Sequence, residues 1–99
     1  MNAIWDKIEM FDGRKAMRTN IQAYRMILHR TSTDSFELTI KRTINGNEVV
    51  VHTSTIFEKK AWDAQDRAYE ILKLRLVAER DILMKATRDL EQVMAERNV

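Results

Sequence analysis

The chain has 99 residues, of which 44% are hydrophobic and 32% are charged, and its formal net charge is +2. A chain of this length forms one domain, and interleaved apolar and charged residues are typical of a folded protein. The absence of cysteine excludes disulfides and thiolate chemistry. Since no segment has the pattern of a signal peptide or the roughly 18 apolar residues that span a bilayer, we expect a cytoplasmic protein without membrane contact.

The positive charge is unevenly distributed along the chain. Residues 1–60 contain ten Lys or Arg against seven Asp or Glu, whereas residues 61–99 contain seven against eight. A mild basic excess is compatible with nucleic-acid binding, but nucleic-acid modules usually carry a denser basic patch. A solvated surface is the simpler interpretation.

The first predicted element is a short helix over residues 2–11. Ile4, Ile8 and Phe11 fall on one helical face, and Gly13 tolerates the left-handed conformation that ends a helix. The first 20 residues are therefore predicted to form an N-terminal helical arm.

Residues 14–30 fit two patterns. Their apolar residues include a helical spacing, but Tyr24, Met26 and Leu28 alternate as in a strand. A polar segment follows directly, as expected of a hairpin loop. We favour a strand over about residues 22–30, with a helix as the alternative.

The clearest local pattern is a β-hairpin. Apolar and polar residues alternate over residues 36–41, which is the period of a half-buried strand. Asn45-Gly46 accepts the positive φ angles of a tight turn. The β-branched residues within 48–53 then favour a second strand. Together with the preceding strand, this predicts a three-stranded antiparallel meander over residues 21–55.

A long amphipathic helix is predicted for residues 56–97. The sequence Thr55-Ile56-Phe57-Glu58 fits a capping box, and no helix-breaking residue follows before Arg97. Large side chains recur every seven residues, at Trp62, Tyr69, Leu76, Leu83 and Leu90. Leu72, Ala86 and Val93 lie three residues after members of that series, with Gln65 and Glu79 as polar interruptions, which makes a seam like that of a coiled coil.

This helix is too long for the predicted sheet. Forty residues of helix span about 60 Å, whereas an eight-residue strand spans about 27 Å. The distal apolar residues therefore need another partner, and we expect a homodimer, since heptad seams pair readily. The alternative is a helix that bends back or frays after Arg80. The predicted oligomer interface consists of Leu76, Leu83, Ala86, Leu90, Val93 and Met94.

The sequence contains no recognisable catalytic, cofactor or metal motif. His29 and His52 both fall in predicted strands, where solvent-facing histidines are the simplest interpretation. Two glycines are too few for a phosphate-binding loop. We therefore expect no catalytic residue, no cofactor and no metal site.

Basic residues in the first half provide an alternative function. The candidate nucleic-acid contacts are Arg14, Lys15, Arg18, Lys41 and Arg42. A basic β-ribbon can enter the major groove of DNA, but this set is sparse for a phosphate-binding surface.

The sequence as a whole predicts an α+β fold with a short N-terminal helix, a three-stranded antiparallel meander and one long C-terminal amphipathic helix. The favoured function is a small non-enzymatic protein-interaction module that self-associates through this helix. It would bind or inhibit another macromolecule, as phage or bacterial accessory and anti-defence proteins do. Trp5, Phe36 and Phe57 are the expected apolar contacts with a protein partner. Nucleic-acid binding is the alternative.

Overall fold

A computed structural model describes residues 4–97, which form five strands and one helix. The strands are β1 (Asp6–Glu9), β2 (Lys15–Ile21), β3 (Tyr24–Ser32), β4 (Ser35–Ile44) and β5 (Asn47–Ile56), and the helix is α1 (Ala61–Arg97). The chain divides into two compact units. The first unit extends to Tyr69 and contains the sheet and the start of α1. The second unit begins at Glu70 and contains the rest of the helix.

The five strands form one antiparallel meander in the order β1-β2-β3-β4-β5. The predicted α+β class is thus confirmed, and so is the hairpin around Asn45-Gly46. Asn45 has φ 51° and Gly46 has φ 81°, and the flanking residues Ile44 and Asn47 are cross-strand partners. Positive φ at both central residues is the requirement of the tight turn that Asn-Gly favours.

The predicted N-terminal helix is wrong over its described part, and its residues 2–3 lie outside the described chain. Asp6–Glu9 is a strand that pairs with β2, and the register joins Glu9 to Lys15. Gly13 has φ 84°, and the Met10 N–H donates to the Arg14 carbonyl over 2.7 Å. The glycine therefore closes a hairpin where the sequence predicted a helix end.

The predicted count of three strands is also wrong, because residues 14–30 contain two strands. Residues 24–30 belong to β3, in agreement with the favoured interpretation, but Lys15–Ile21 forms the additional strand β2. The turn between them places Gln22 at φ 55°. Glutamine is not a residue that signals a turn, so no local pattern indicated that this segment divides.

The hydrophobic core lies on one face of the sheet, which we call the packed face. Met26, Leu28, Phe36, Leu38 and Ile40 are almost completely buried, and their cross-strand pairing places them on this face. Their alternation with more exposed residues follows from the two-residue period of a strand. Burying five large apolar side chains supplies on the order of 10 kcal/mol of hydrophobic stabilisation before entropy is counted.

The first turns of α1 pack on the packed face. Ala64 and Ala68 have no exposed surface. The Gln65 side-chain amide lies 3.2 Å from the Met17 sulfur, in hydrogen-bonding geometry. The i, i+4 spacing of the two alanines places them one above the other on the helix.

The helix begins later than the sequence predicted. Thr55 and Ile56 belong to β5, where they pair with Glu37 and Phe36. Ile56 is buried, so its apolar contacts favour continuing the strand over starting the predicted capping box. The helix starts at Ala61 and reaches Arg97, the last residue that the structure describes.

Candidate interaction surfaces

The second unit carries an exposed apolar surface along α1. We call it the helix stripe and define it as Ile82, Leu83, Ala86, Leu90, Val93 and Met94. At about 100° per residue, these side chains lie within an arc of about 120°. Leu83 is 66% exposed and Leu90 is 59% exposed. Side chains of this type are normally buried in a folded protein, so their alignment marks the stripe as a candidate interface.

Five of the six predicted interface residues belong to the helix stripe. The sixth, Leu76, is 37% exposed, which is less than the other large residues of the set. Near it, Glu79 lies 3.3 Å from Arg75 in an i, i+4 ion pair. Every described residue from Arg80 onward is exposed in the isolated chain.

The charge distribution on α1 distinguishes it from a membrane span. The helix has 37 residues, but charged residues occur throughout its length. Among the described residues, no helix combines the length and apolar character that crossing a bilayer requires.

A second exposed surface lies in the first unit, at the end of the sheet where β2 begins. We call it the sheet-end surface and define it as Phe11, Arg14, Lys15, Phe57, Lys59, Lys60 and Trp62. All seven residues are exposed; Phe57 and Trp62 remain 79% and 73% accessible. Three large aromatic rings and the three lysines offer both stacking and charge to a ligand, whereas Arg14 is already paired with Asp12.

Arg30 joins the separate chain segments at this end. Its guanidinium donates to the carbonyls of Ser32, Thr33 and Lys59 over 3.2, 3.1 and 2.8 Å. The same group lies 4.3 Å from the centroid of the Phe36 ring. The arginine thus connects the β3–β4 turn to the segment that leads into α1.

Beside Arg30 is an open hollow of about 580 Å³. Lys7, Glu9 and Lys15 supply charged lining, and Met17 and Ala61 supply apolar lining. The hollow has the start of β2 on one side and Ala61, the first residue of α1, on the other, and it shares Lys15 with the sheet-end surface.

Asp12 and Arg14 form a tight local pair on the β1–β2 turn. The Arg14 backbone N–H donates to Asp12 Oδ1 over 3.1 Å, and the two side chains form an ion pair. The backbone hydrogen bond, followed by the side-chain contacts of Arg14, lowers the pKa of the Asp12 carboxyl below its ordinary value of 3.8.

The five predicted nucleic-acid contacts do not form one patch. Arg14 and Lys15 lie at the sheet-end surface, whereas Lys41 and Arg42 lie towards the other end of the sheet, paired with Arg25 and Tyr24. Successive strand residues point to opposite faces, so Lys41 and Arg42 also diverge from each other. Arg18 lies between the two ends, and its cross-strand partners are Asp6 and Ile27.

The face opposite the packed face, here the polar face, is electrically balanced. Arg25 forms a 2.7 Å ion pair with Glu48, and Arg18 is the cross-strand partner of Asp6. The charged residues that the register assigns to this face are Arg18, Arg25, Lys41, Asp6, Glu37 and Glu48. These three cations and three anions balance, and the Arg14 guanidinium, which reaches His29 on the same face, is paired with Asp12, so the face has no net charge to attract a phosphate backbone.

Both histidines have local hydrogen-bond partners. His29 lies on the polar face, with its Nε2 3.0 Å from an Arg14 guanidinium nitrogen. His52 lies on the packed face as the partner of Ile40, and its Nε2 is 2.9 Å from the Ser54 hydroxyl. Within residues 4–97, no group of three His, Cys, Asp or Glu side chains could hold a metal ion.

The predicted aromatic contacts divide between core and surface. Phe36 is buried, and Trp5 donates its indole N–H to the Tyr69 hydroxyl, so both are committed to the fold. Phe57 is exposed as a binding residue requires. Trp62 is an exposed aromatic residue that the sequence did not identify as a candidate contact. It is the first member of the heptad series, which is a pattern typical of buried residues, and its 73% exposure in the structure shows that it is not part of the core.

Comparisons with known proteins give no relative. The chain matches no protein-family model, no curated protein and no solved structure. Its function must therefore be inferred from the two surfaces alone.

Proposed function

We propose that this protein is a non-enzymatic interaction module that self-associates through the helix stripe and binds a second protein at the sheet-end surface. The observation that carries the proposal is the exposure of five large apolar side chains on one side of α1: Ile82, Leu83, Leu90, Val93 and Met94. An exposed apolar surface of this kind favours association with a complementary surface.

The free energy involved suits a reversible dimer. Each of the five side chains is at least half exposed. Full burial of such a side chain contributes about 1.5–3 kcal/mol, so covering the stripe on two copies contributes on the order of 10 kcal/mol. Association costs about 4–15 kcal/mol in lost motion, so the dimer should depend on concentration.

Sedimentation equilibrium tests the self-association. We expect the wild-type chain to approach twice its 11.7 kDa mass as concentration rises. The double variant Leu83→Gln/Leu90→Gln should stay monomeric, because it removes two large apolar side chains from the stripe while glutamine preserves helix propensity.

The matched control is Leu74→Gln. Leu74 is 71% exposed but points away from the stripe, so its replacement should leave the dimer intact. A wild-type chain that stays at 11.7 kDa over the whole concentration range would refute the proposed self-association. A control variant as disruptive as the double variant would show that general apolar exposure, and not the stripe, drives assembly.

The protein-binding part of the proposal is supported by Phe57 and Trp62. Exposed aromatic residues are enriched where proteins bind one another. The affinity for a protein ligand held by these rings should change little between low and moderate salt. Binding of that ligand should be lost in the double variant Phe57→Ala/Trp62→Ala.

A second candidate function, nucleic-acid binding, is favoured by the same mixture of rings and charges. Single-stranded nucleic acid binds proteins through base stacking on aromatic side chains and phosphate contacts with Lys and Arg. On this surface Trp62 would stack on bases, while Lys15, Lys59 and Lys60 would contact phosphates.

Titration with oligothymidylate separates the two candidates, because stacking on Trp62 would quench its fluorescence. Under the nucleic-acid candidate, binding should weaken steeply when salt rises from about 50 to 200 mM. Lys59→Gln/Lys60→Gln should weaken it further, whereas Lys41→Gln/Arg42→Gln, at the other end of the sheet, should not. Absence of quenching at low salt would reject this candidate.

A further inference from the structure

We infer that the two helices of the dimer pair antiparallel, with Leu83 of each copy packed against Ala86 of the other. This inference rests on the proposed self-association and adds the direction and register of the partner, a second copy of this chain. It follows from the order of large, small and charged residues along the exposed part of α1.

The small side chain of Ala86 disfavours a parallel pair of helices in register. In that arrangement each seam residue faces its own copy. Ala86 would then face Ala86 of the second copy, which leaves a gap between layers formed by Leu83 and Leu90. Interiors are close-packed, so a gap of this size weakens the interface.

Charge disfavours the parallel pair as well. Glu79 occupies a seam position one heptad before Ala86, and a parallel pair would bring two Glu79 carboxylates opposite each other. Arg75 on one helix would also flank Arg80 on the other, since these positions meet across a parallel seam. Both contacts place like charges together.

An antiparallel pair replaces these contacts with complementary ones. With Leu83 opposite Ala86 of the second copy, Leu76 comes opposite Val93, so in both of these layers a large residue faces a smaller one. Glu79 comes opposite Leu90, so the two like-charged carboxylates are separated. Arg75, which is paired with Glu79 of its own helix, also approaches Glu96 of the second copy, which places opposite charges at both ends of the interface.

The neighbouring antiparallel register is less favourable. Sliding the helices by one heptad would place Leu90 opposite Ala86 of the second copy, which also satisfies the size argument. That shift shortens the apolar part of the paired segment to residues 83–93, and although it brings Glu79 opposite Arg97, it places Asp89 beside Asp89 of the second copy. The longer register covers Leu76 in addition and avoids this repulsion, so it is the one inferred.

Disulfide exchange can read the direction directly, because the chain has no cysteine of its own. Full-length Leu83→Cys, Ala86→Cys and Leu90→Cys variants would be mixed in pairs in a glutathione redox buffer. We expect the disulfide-linked heterodimer of the Leu83→Cys and Ala86→Cys chains to outnumber the two linked homodimers together at least about tenfold, where random pairing would give equal amounts. Leu74→Cys, off the stripe, should form no dimer above the statistical level.

Each other result overturns the inference in a defined way. Preferential linkage of Ala86→Cys to itself would show a parallel pair, and preferential linkage to Leu90→Cys would show the shifted register. Sedimentation of the reduced variants is measured in parallel. Monomeric reduced chains would reject the self-association itself, whereas dimers with the wrong linkage would reject only the direction or the register.

Discussion

The Trp5 indole N–H donates a 2.7 Å hydrogen bond to the Tyr69 hydroxyl, and the two rings lie 5.8 Å apart with a 60° tilt. The two residues are 64 positions apart in sequence. The contact attaches the first described residues to the helix and uses the hydroxyl of a half-buried tyrosine. It gives the N-terminal segment a tertiary anchor before β1 begins.

Replacing Tyr69 with phenylalanine should therefore weaken the fold. Tyr69→Phe retains the ring packing and leaves the Trp5 N–H without its acceptor, so we expect the free energy of unfolding to fall by about 1 kcal/mol. Chemical denaturation measures the loss. In NMR spectra the Trp5 indole proton should shift while that of the exposed Trp62 should not; an unchanged Trp5 signal would argue against this hydrogen bond.

Arg30→Lys should destabilise the sheet end. Lysine cannot reproduce the planar fork that reaches three carbonyls and stacks on Phe36. Because the side chain is exposed, the expected loss is only about 1 kcal/mol. Arg42→Lys is the matched control, since Arg42 stacks on Tyr24 at the longer distance of 5.7 Å, and it should cost less. Equal losses of stability in the two variants would contradict the conclusion that Arg30 connects separate chain segments at the sheet end.

Glycine should be the more stable residue at both of these turn positions with positive φ. Gly46→Ala should lower stability by about 1 kcal/mol, because alanine disfavours φ 81° although no atom beyond the adjacent residues lies within 4 Å of the added Cβ. Gln22→Gly should raise stability by a few tenths of a kcal/mol, because Gln22 already adopts φ 55°. Urea denaturation of both variants checks the pair. Destabilisation by Gln22→Gly would show that its side chain contributes more than its backbone strain costs.

Asp12 should titrate below its ordinary range. Because its folded-state pKa is lowered, the carboxylate contributes stability above the ordinary value of 3.8, and this contribution is lost as pH falls through the lower folded pKa. Arg14→Gln removes the side-chain charge but keeps the backbone N–H. The Asp12 pKa, followed by NMR, should then rise only part of the way. A complete return to about 3.8 would show that the backbone hydrogen bond has no effect.

Thermal stability should depend on protein concentration. If the helix stripe pairs two folded chains, mass action stabilises the dimer, and Tm should rise with concentration. The rise should disappear in Leu83→Gln/Leu90→Gln and remain in Leu74→Gln. Differential scanning calorimetry at several concentrations makes the measurement, and a Tm independent of concentration in the wild type would count against the dimer.

Local patterns in the sequence were enough to predict some of the elements. Alternation over Phe36–Lys41 and the Asn45-Gly46 dipeptide were sufficient for the β4–β5 hairpin, because strand period and turn conformation depend on neighbouring residues. The heptad series was sufficient for a long helix and for its exposed apolar side. The exposure of Leu83 and Leu90, which makes them candidate interface residues, could be predicted because the helix is longer than the strands that it packs on.

The conformation of residues 4–30 and the start of the helix depended instead on long-range contacts. Ile8 and Met17 fit a helix as well as a strand, and pairing with neighbouring strands selected the strand. The capping box at Thr55 lost to β-pairing with Glu37, because Ile56 is buried in that strand. Local propensity is worth tenths of a kcal/mol per residue, whereas burial of one large side chain is worth about 1.5–3 kcal/mol, so tertiary packing prevailed wherever the local pattern was ambiguous.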